Sequence, residues 1–74
     1  MGKLRVLSGQ EVCSLLEQHG FERVRQRGSH VVMQKRVDGS SVTVPVPLHN
    51  ELSARTLLSI IRQSRVARVE LEHS

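Results

Sequence analysis

His30 directly follows Gly28 and Ser29 and stands between a run of cations, Arg23, Arg25 and Arg27, and the apolar pair Val31 and Val32. Imidazole is the one side chain whose unperturbed pKa, about 6.5, lets it give and take protons near neutrality, and guanidinium groups meet phosphate with a planar fork of donors. A glycine turn feeding a strand sets such a histidine at a defined spot beside cations. That suits cleavage of a phosphodiester carrying its own nucleophile, because proton transfer and charge stabilisation at phosphorus are then all the protein must supply. RNA, with its 2′-hydroxyl, is such a substrate. On this reading neutral His30 takes the 2′-OH proton, a role worth about 10²- to 10⁴-fold in rate. Arg23, Arg25, Arg27, Ser29 and Lys35 hold the RNA, and no metal is required. His49 is a second histidine, either an acid for the leaving oxygen or a loop residue that fixes a proline-rich connection by a hydrogen bond. The plain alternatives are a solvated strand histidine at position 30 and an ordinary solvated row of arginines.

Bulk properties bound what can surround these residues. A chain of 74 residues makes one small domain, which buries only about 60% of its unfolded surface. An apolar fraction of 38% with Phe21 as the only aromatic implies a thin core of Val, Leu and Ile and argues against a deep apolar ligand cavity. The net charge of +4 and pI near 10.7 favour an anionic partner, nucleic acid first. Cys13 is the single cysteine; an internal disulfide is excluded, which fits a reducing compartment and a cytoplasmic protein. Cys13 falls within a helical pattern and reads as a small core residue. No run approaches the roughly 18 apolar residues of a membrane span. Met1-Gly2-Lys3-Leu4-Arg5-Val6 lacks a signal-peptide core, and Val6 occupies the place where a myristoylation motif wants Ser or Thr, so no membrane partner is expected. The histidines, Cys13 and Asp38 show no metal-ligand spacing and no glycine-rich nucleotide loop is present, so the expected cofactor list is empty.

The elements that position the chemistry follow from local signals. Ser8-Gly9-Gln10-Glu11 has the spacing of a capping box, predicting a helix that begins there. Val12, Leu15, Leu16 and His19 form its apolar stripe, and Gly20 closes it. His19, at the helix end, is favoured there by the helix dipole. From Phe21 to Arg36 the period becomes two with an interruption at Gly28, predicting two strands joined by a tight turn around Arg27 to Ser29. Phe21 is expected just before the first strand, folded onto the helix end. Alternation puts Val31 and Met33 in the core and His30, Val32, Gln34 and Arg36 on the open side; in the preceding strand Arg23, Arg25 and Arg27 share one face, with Val24 opposite. Asp38-Gly39 predicts a hairpin. A third strand alternates Val42, Val44 and Val46 with Ser41, Thr43 and Pro45, and Pro45 and Pro47 predict an edge position where pairing ends. Ser53 caps a second helix carrying Leu57, Leu58, Ile60 and Ile61, with Arg55, Arg62 and Gln63 on its exposed side. The expected architecture is α+β, a small two-layer α-β-β-β-α sandwich with both helices on one face of the sheet. The expected divisions are an N-terminal extension over 1–7, a domain over 8–64 and a tail over 65–74. That tail is compatible with a short strand or a loose end, and Leu71-Glu72-His73 with the remnant of a tag, so His73 is set aside.

Taken together, the first helix, Gly20-Phe21, Arg25, Gly28-Ser29-His30, the valine strand ending at Pro45, then Pro47, His49, Leu52, Thr56-Leu57 and Ser59-Ile60-Ile61-Arg62-Gln63 resemble the HicA toxin family, also called YcfA-like. The resemblance spans Ser8 to Ser64, and the Gly-Ser-His element followed at a fixed distance by the Thr-Leu helix is its most specific part. It implies a double-stranded-RNA-binding-domain-like fold and an mRNA interferase, an endoribonuclease restrained by a HicB-type antitoxin, with His30 in the place of the family's catalytic histidine. Arg55 departs from the pattern, standing where the family usually has glycine. Three readings remain open on the sequence: an RNA-cleaving toxin, a non-catalytic RNA-binding module, and an inactive HicA-like protein that only binds an antitoxin.

Overall fold

Ser8 opens the first helix by a reciprocal exchange, its hydroxyl accepting from the Glu11 amide at 3.1 Å while the Glu11 carboxylate accepts from the Ser8 amide at 2.9 Å. Two of the amide donors that a helix start leaves without partners are thereby satisfied. In the computed structural model, which describes residues 3–72, this helix, α1, runs over Gly9–Gln18 with Val12, Cys13 and Leu16 buried. Gly20 leaves it at φ +92°, a conformation open to glycine at little steric cost. Phe21 then folds back into the core, its amide donating to the Leu16 carbonyl at 3.0 Å.

Three strands follow, β1 (Glu22–Arg27), β2 (His30–Val37) and β3 (Ser40–Pro47), in an antiparallel sheet of order β1-β2-β3. Gly28-Ser29 turns the first hairpin with positive φ at Gly28 alone, and Asp38-Gly39 turns the second with positive φ at both residues. β3 is an edge strand, as the two prolines suggested, and its pairing with β2 ends at Pro47, opposite His30, with Pro45 still in register opposite Val32. The Leu48 amide donates to the Ser29 carbonyl at 2.6 Å, and counting alternately along the ladder gives both prolines positions whose nitrogen faces away from β2. A missing N–H costs nothing there, because β3 is an edge strand.

Ser53 caps α2 (Ala54–Ser64), accepting from the Thr56 amide. Arg55 is exposed in its first turn, and the helix starts regularly without the glycine common in the resembling family. Both helices cover the same face of the sheet as Val31, Met33 and Val44, giving the expected two-layer α+β sandwich. Leu58 departs from the expected apolar stripe and is 44% exposed, whereas Leu57 and Ile60 are buried. Beyond Ser64, where the sequence pattern suits either a strand or a loose end, the chain forms a 3₁₀ turn over Arg68–Leu71. Leu71 is buried in the same core as Leu7, and its carbonyl accepts from the Arg5 amide at 2.7 Å. Leu4 and Glu72 meet in an isolated antiparallel bridge. His73, Met1 and Gly2 lie outside the described residues.

Candidate nucleic-acid interface

The face of the sheet opposite the helices is a small grid whose rows follow from the strand pairing, because directly opposed residues point to the same side. The row nearest the first turn holds Arg27, His30 and Pro47; the next holds Arg25, Val32 and Pro45; the third holds Glu22, Gln34 and Thr43. His30 thus begins β2 between a guanidinium on one neighbour and a proline ring on the other. His30, Arg25, Arg27 and Ser29 are all exposed. Gln34 donates to the Thr43 hydroxyl at 3.4 Å across the third row.

Arg23 does not join this face. A β-bulge between Arg23 and Arg25 sets Arg23 opposite Met33 and Arg25 opposite Val32, so that Val24 is the additional residue and the alternation counted from Arg25 and Arg27 fails at Arg23. Arg23 reaches instead to α1, donating from its Nε to the Glu17 carboxylate at 3.3 Å and from its guanidinium to the Gln10 side-chain oxygen at 3.0 Å. Lys35 is on the helical side as well, opposite buried Val42, with its ammonium 5.9 Å from the centre of the Phe21 ring, within cation–π range. Of the cations proposed from the sequence to attend His30, only Arg25 and Arg27 share its face. Among the described residues the ion pairs are His19–Glu70, Arg23–Glu17 and Arg68–Glu72, and none involves Arg25 or Arg27.

His49 lies in the loop after β3, where its backbone carbonyl, not its imidazole, fixes the connection by accepting from the Gly9 amide at 2.9 Å. Gly9 is required at that point by space: a Cβ there would come within 2.0 Å of the Pro47 carbonyl oxygen. The Gly28-Ser29 turn is therefore tied through Leu48 and His49 to the start of α1. Gln26 adds a brace, donating to the Gly28 carbonyl at 3.2 Å. Pro47 and Gln26 were not among the residues proposed from sequence. Pro47 becomes a neighbour of His30 only through strand pairing, and Gln26 carries no signal beyond its place before the turn.

Elsewhere the titratable groups have structural explanations. Ser8 donates to the Glu11 carboxylate from its amide and holds it below its ordinary range. Burial pushes the Cys13 thiol up, against a smaller opposing pull from Arg23, which leaves a poor nucleophile in the core. Among the described residues no three His, Cys, Asp or Glu side chains gather to hold a metal ion, and no helix is long and apolar enough to cross a membrane. In comparison with known proteins, residues 9–66 match the family described as the HicA toxin of bacterial toxin–antitoxin systems. No curated protein and no solved structure matches.

Proposed function

Because the chain belongs to the HicA toxin family, matched over residues 9–66, we propose that this toxin acts as an endoribonuclease on messenger RNA, with His30 as its catalytic base. The observation that carries the reading is the row Arg27, His30, Pro47 on the open side of the sheet, followed by Arg25 one row behind. The imidazole takes the proton of a ribose 2′-OH, the 2′-oxygen attacks the adjacent phosphorus, and the 5′-oxygen leaves. The products are a 2′,3′-cyclic phosphate and a 5′-hydroxyl end. Arg25 and Arg27 neutralise the phosphate as charge builds on its non-bridging oxygens, and the Ser29 hydroxyl is a further contact at the turn. His49, two residues beyond Pro47, is the candidate for protonating the leaving oxygen. No metal or organic cofactor enters this chemistry.

The test is incubation of purified protein with unstructured RNA, with and without chelator. Cleavage that is unaffected by chelator, leaves cyclic phosphate ends and vanishes in His30→Ala supports the reading. Cleavage at the parent rate by His30→Ala refutes the catalytic assignment, and activity lost to chelator and restored by a divalent ion refutes metal independence. In the cytoplasm such an activity must be restrained. A HicB-type antitoxin presenting carboxylates to Arg25 and Arg27 would mask His30 in the same event. Complex formation should then slow as salt rises, with RNA as a direct competitor; a complex that is inactive while His30 stays accessible would rule masking out.

A further inference from the structure

The open face is chemically divided along its strands. The β1 column carries Arg27 and Arg25 and then turns acidic at Glu22, the β2 column carries His30, Val32, Gln34 and Arg36, and the β3 column carries Pro47, Pro45, Thr43 and Ser41. In the half nearest the first turn, cations lie along one side and an apolar strip of Val32, Pro45 and Pro47 along the other, with His30 at the end between them; Arg36 stands at the opposite end of β2. We infer that this face holds a single, unpaired RNA strand running along the β-strands, with its phosphates on Arg25 and Arg27 and its bases laid over Val32, Pro45 and Pro47. The inference rests on the proposed ribonuclease function and names the form of RNA the same site accepts.

The geometry favours that arrangement over a duplex. Residues two apart on a strand are about 6.8 Å apart, so Arg25 and Arg27 can engage successive phosphates of an extended strand. Crossing from β1 to β3 covers about 9.6 Å at two inter-strand spacings, a span suited to the reach from a nucleotide's phosphate to its base. In a duplex the base faces are stacked within the helix and the outside offers phosphates, sugars and groove edges, leaving the proline strip nothing apolar to meet. Phe21, the only aromatic residue, is buried on the opposite side, so the usual aromatic platform for unpaired bases is replaced by proline rings and a valine. Glu22 repels phosphate and ends the β1 run of cations after two positions, short of Arg36 at the far end of β2. A base over the first row brings its ribose beside His30, where the 2′-OH must be for proton removal.

The experiment compares binding of three probes across a salt series: an unpaired RNA dodecamer, a dodecamer of the same sugar-phosphate chain lacking bases, and a duplex of the same length. Wild-type protein should bind the intact single strand about tenfold more tightly than the abasic strand and more tightly than the duplex, with equal slopes of log affinity on log salt for the two single strands. The double variant P45A/P47A, checked for folding by circular dichroism, should bring the intact strand down to the abasic level without changing the slope. Arg25→Gln should make the slope shallower for both. Abasic and intact strands binding within twofold of each other, or a preference for duplex, overturns this inference while His30-dependent cleavage leaves the proposed function standing. Failure of all three probes to bind, together with no cleavage, overturns both.

Discussion

The sheet is turned by two hairpins of equal length, and they are held in different ways. Asp38-Gly39 has both residues at positive φ, and its neighbouring Ser40 hydroxyl donates to the Val37 carbonyl at 2.9 Å, so the turn is closed by its own residues. Gly28-Ser29 has a local brace from Gln26 and, in addition, ties from distant parts of the chain. The Ser29 carbonyl accepts from Leu48, the next carbonyl along, that of His49, accepts from Gly9, and Gln26 donates to Gly28. A turn that only reverses the chain can be satisfied locally by its turn chemistry. Under the proposed function, the turn that carries His30 gains from ties to a helix, because catalytic geometry lost by about 1 Å costs on the order of 10²-fold in rate.

The comparison is broken most sharply by removing the histidine. His30→Ala should reduce RNA cleavage to background while changing stability by less than about 0.5 kcal/mol, since an exposed strand residue away from packing has little to lose; a gel cleavage assay beside a thermal melt reads both. Gly9→Ala comes next. Its Cβ would collide with the Pro47 backbone, so the melt should show a loss of about 3 kcal/mol and residual cleavage should fall, although the substitution is in α1 and far from His30 in sequence. If G9A is as stable and active as the parent, the tie between α1 and the turn is of no consequence.

Gly28→Ala and Gly39→Ala form a matched pair. Each places a side chain at positive φ in open space, so each should cost about 1 to 2 kcal/mol by backbone strain alone. Only G28A should also lower cleavage, by at least about tenfold. Equal activities in two equally destabilised proteins would show that the two turns do not differ in function. A smaller effect belongs to salt: Arg25→Gln or Arg27→Gln should each make the dependence of log affinity on log salt shallower by about 0.7, whereas Arg23→Gln should leave it unchanged because Arg23 is engaged by α1.

The smallest expected effect is on the acid limb of stability. The Ser8 amide and hydroxyl hold the Glu11 carboxyl below its ordinary value in the folded chain, so the folded protein binds a proton there less readily than the unfolded one. The capping contribution is thus complete above the unfolded carboxylate range and is lost as pH falls through the depressed folded value. Glu11→Gln, which keeps the capping geometry without the charge, should flatten that part of the pH profile in urea melts. An unchanged profile would assign the acid limb to other carboxylates.

Much of this was legible before the fold was known. The Ser8 capping box, the Gly20 stop, both hairpin turns, the buried alternation of Val31 and Met33 and the place of His30 on the open side all follow from spacings of a few residues, where local sterics and hydrogen bonding decide the outcome. The family resemblance, carried by Gly28-Ser29-His30 and the later Thr56-Leu57 helix, agrees with the match over residues 9–66. Arg23, Lys35 and the tail were less legible, since each depends on a partner elsewhere in the chain, and Leu58, placed in the apolar stripe by the sequence pattern, is left 44% exposed.

What the sequence by itself determined, then, is the set of elements and the parity of β2, because a strand between two well-marked turns leaves little choice of which residues face inward. The tertiary structure alone decided which cations accompany His30. Alternation counts residues, and one bulge at Val24, with Arg23 held by Glu17 and Gln10 of α1, shifts the count by one and moves a guanidinium to the other side of the sheet. It likewise decided that Pro47 lies beside His30 and that Leu71 completes the core, for both are contacts across the sheet or between the two ends of the chain, and no local pattern encodes them.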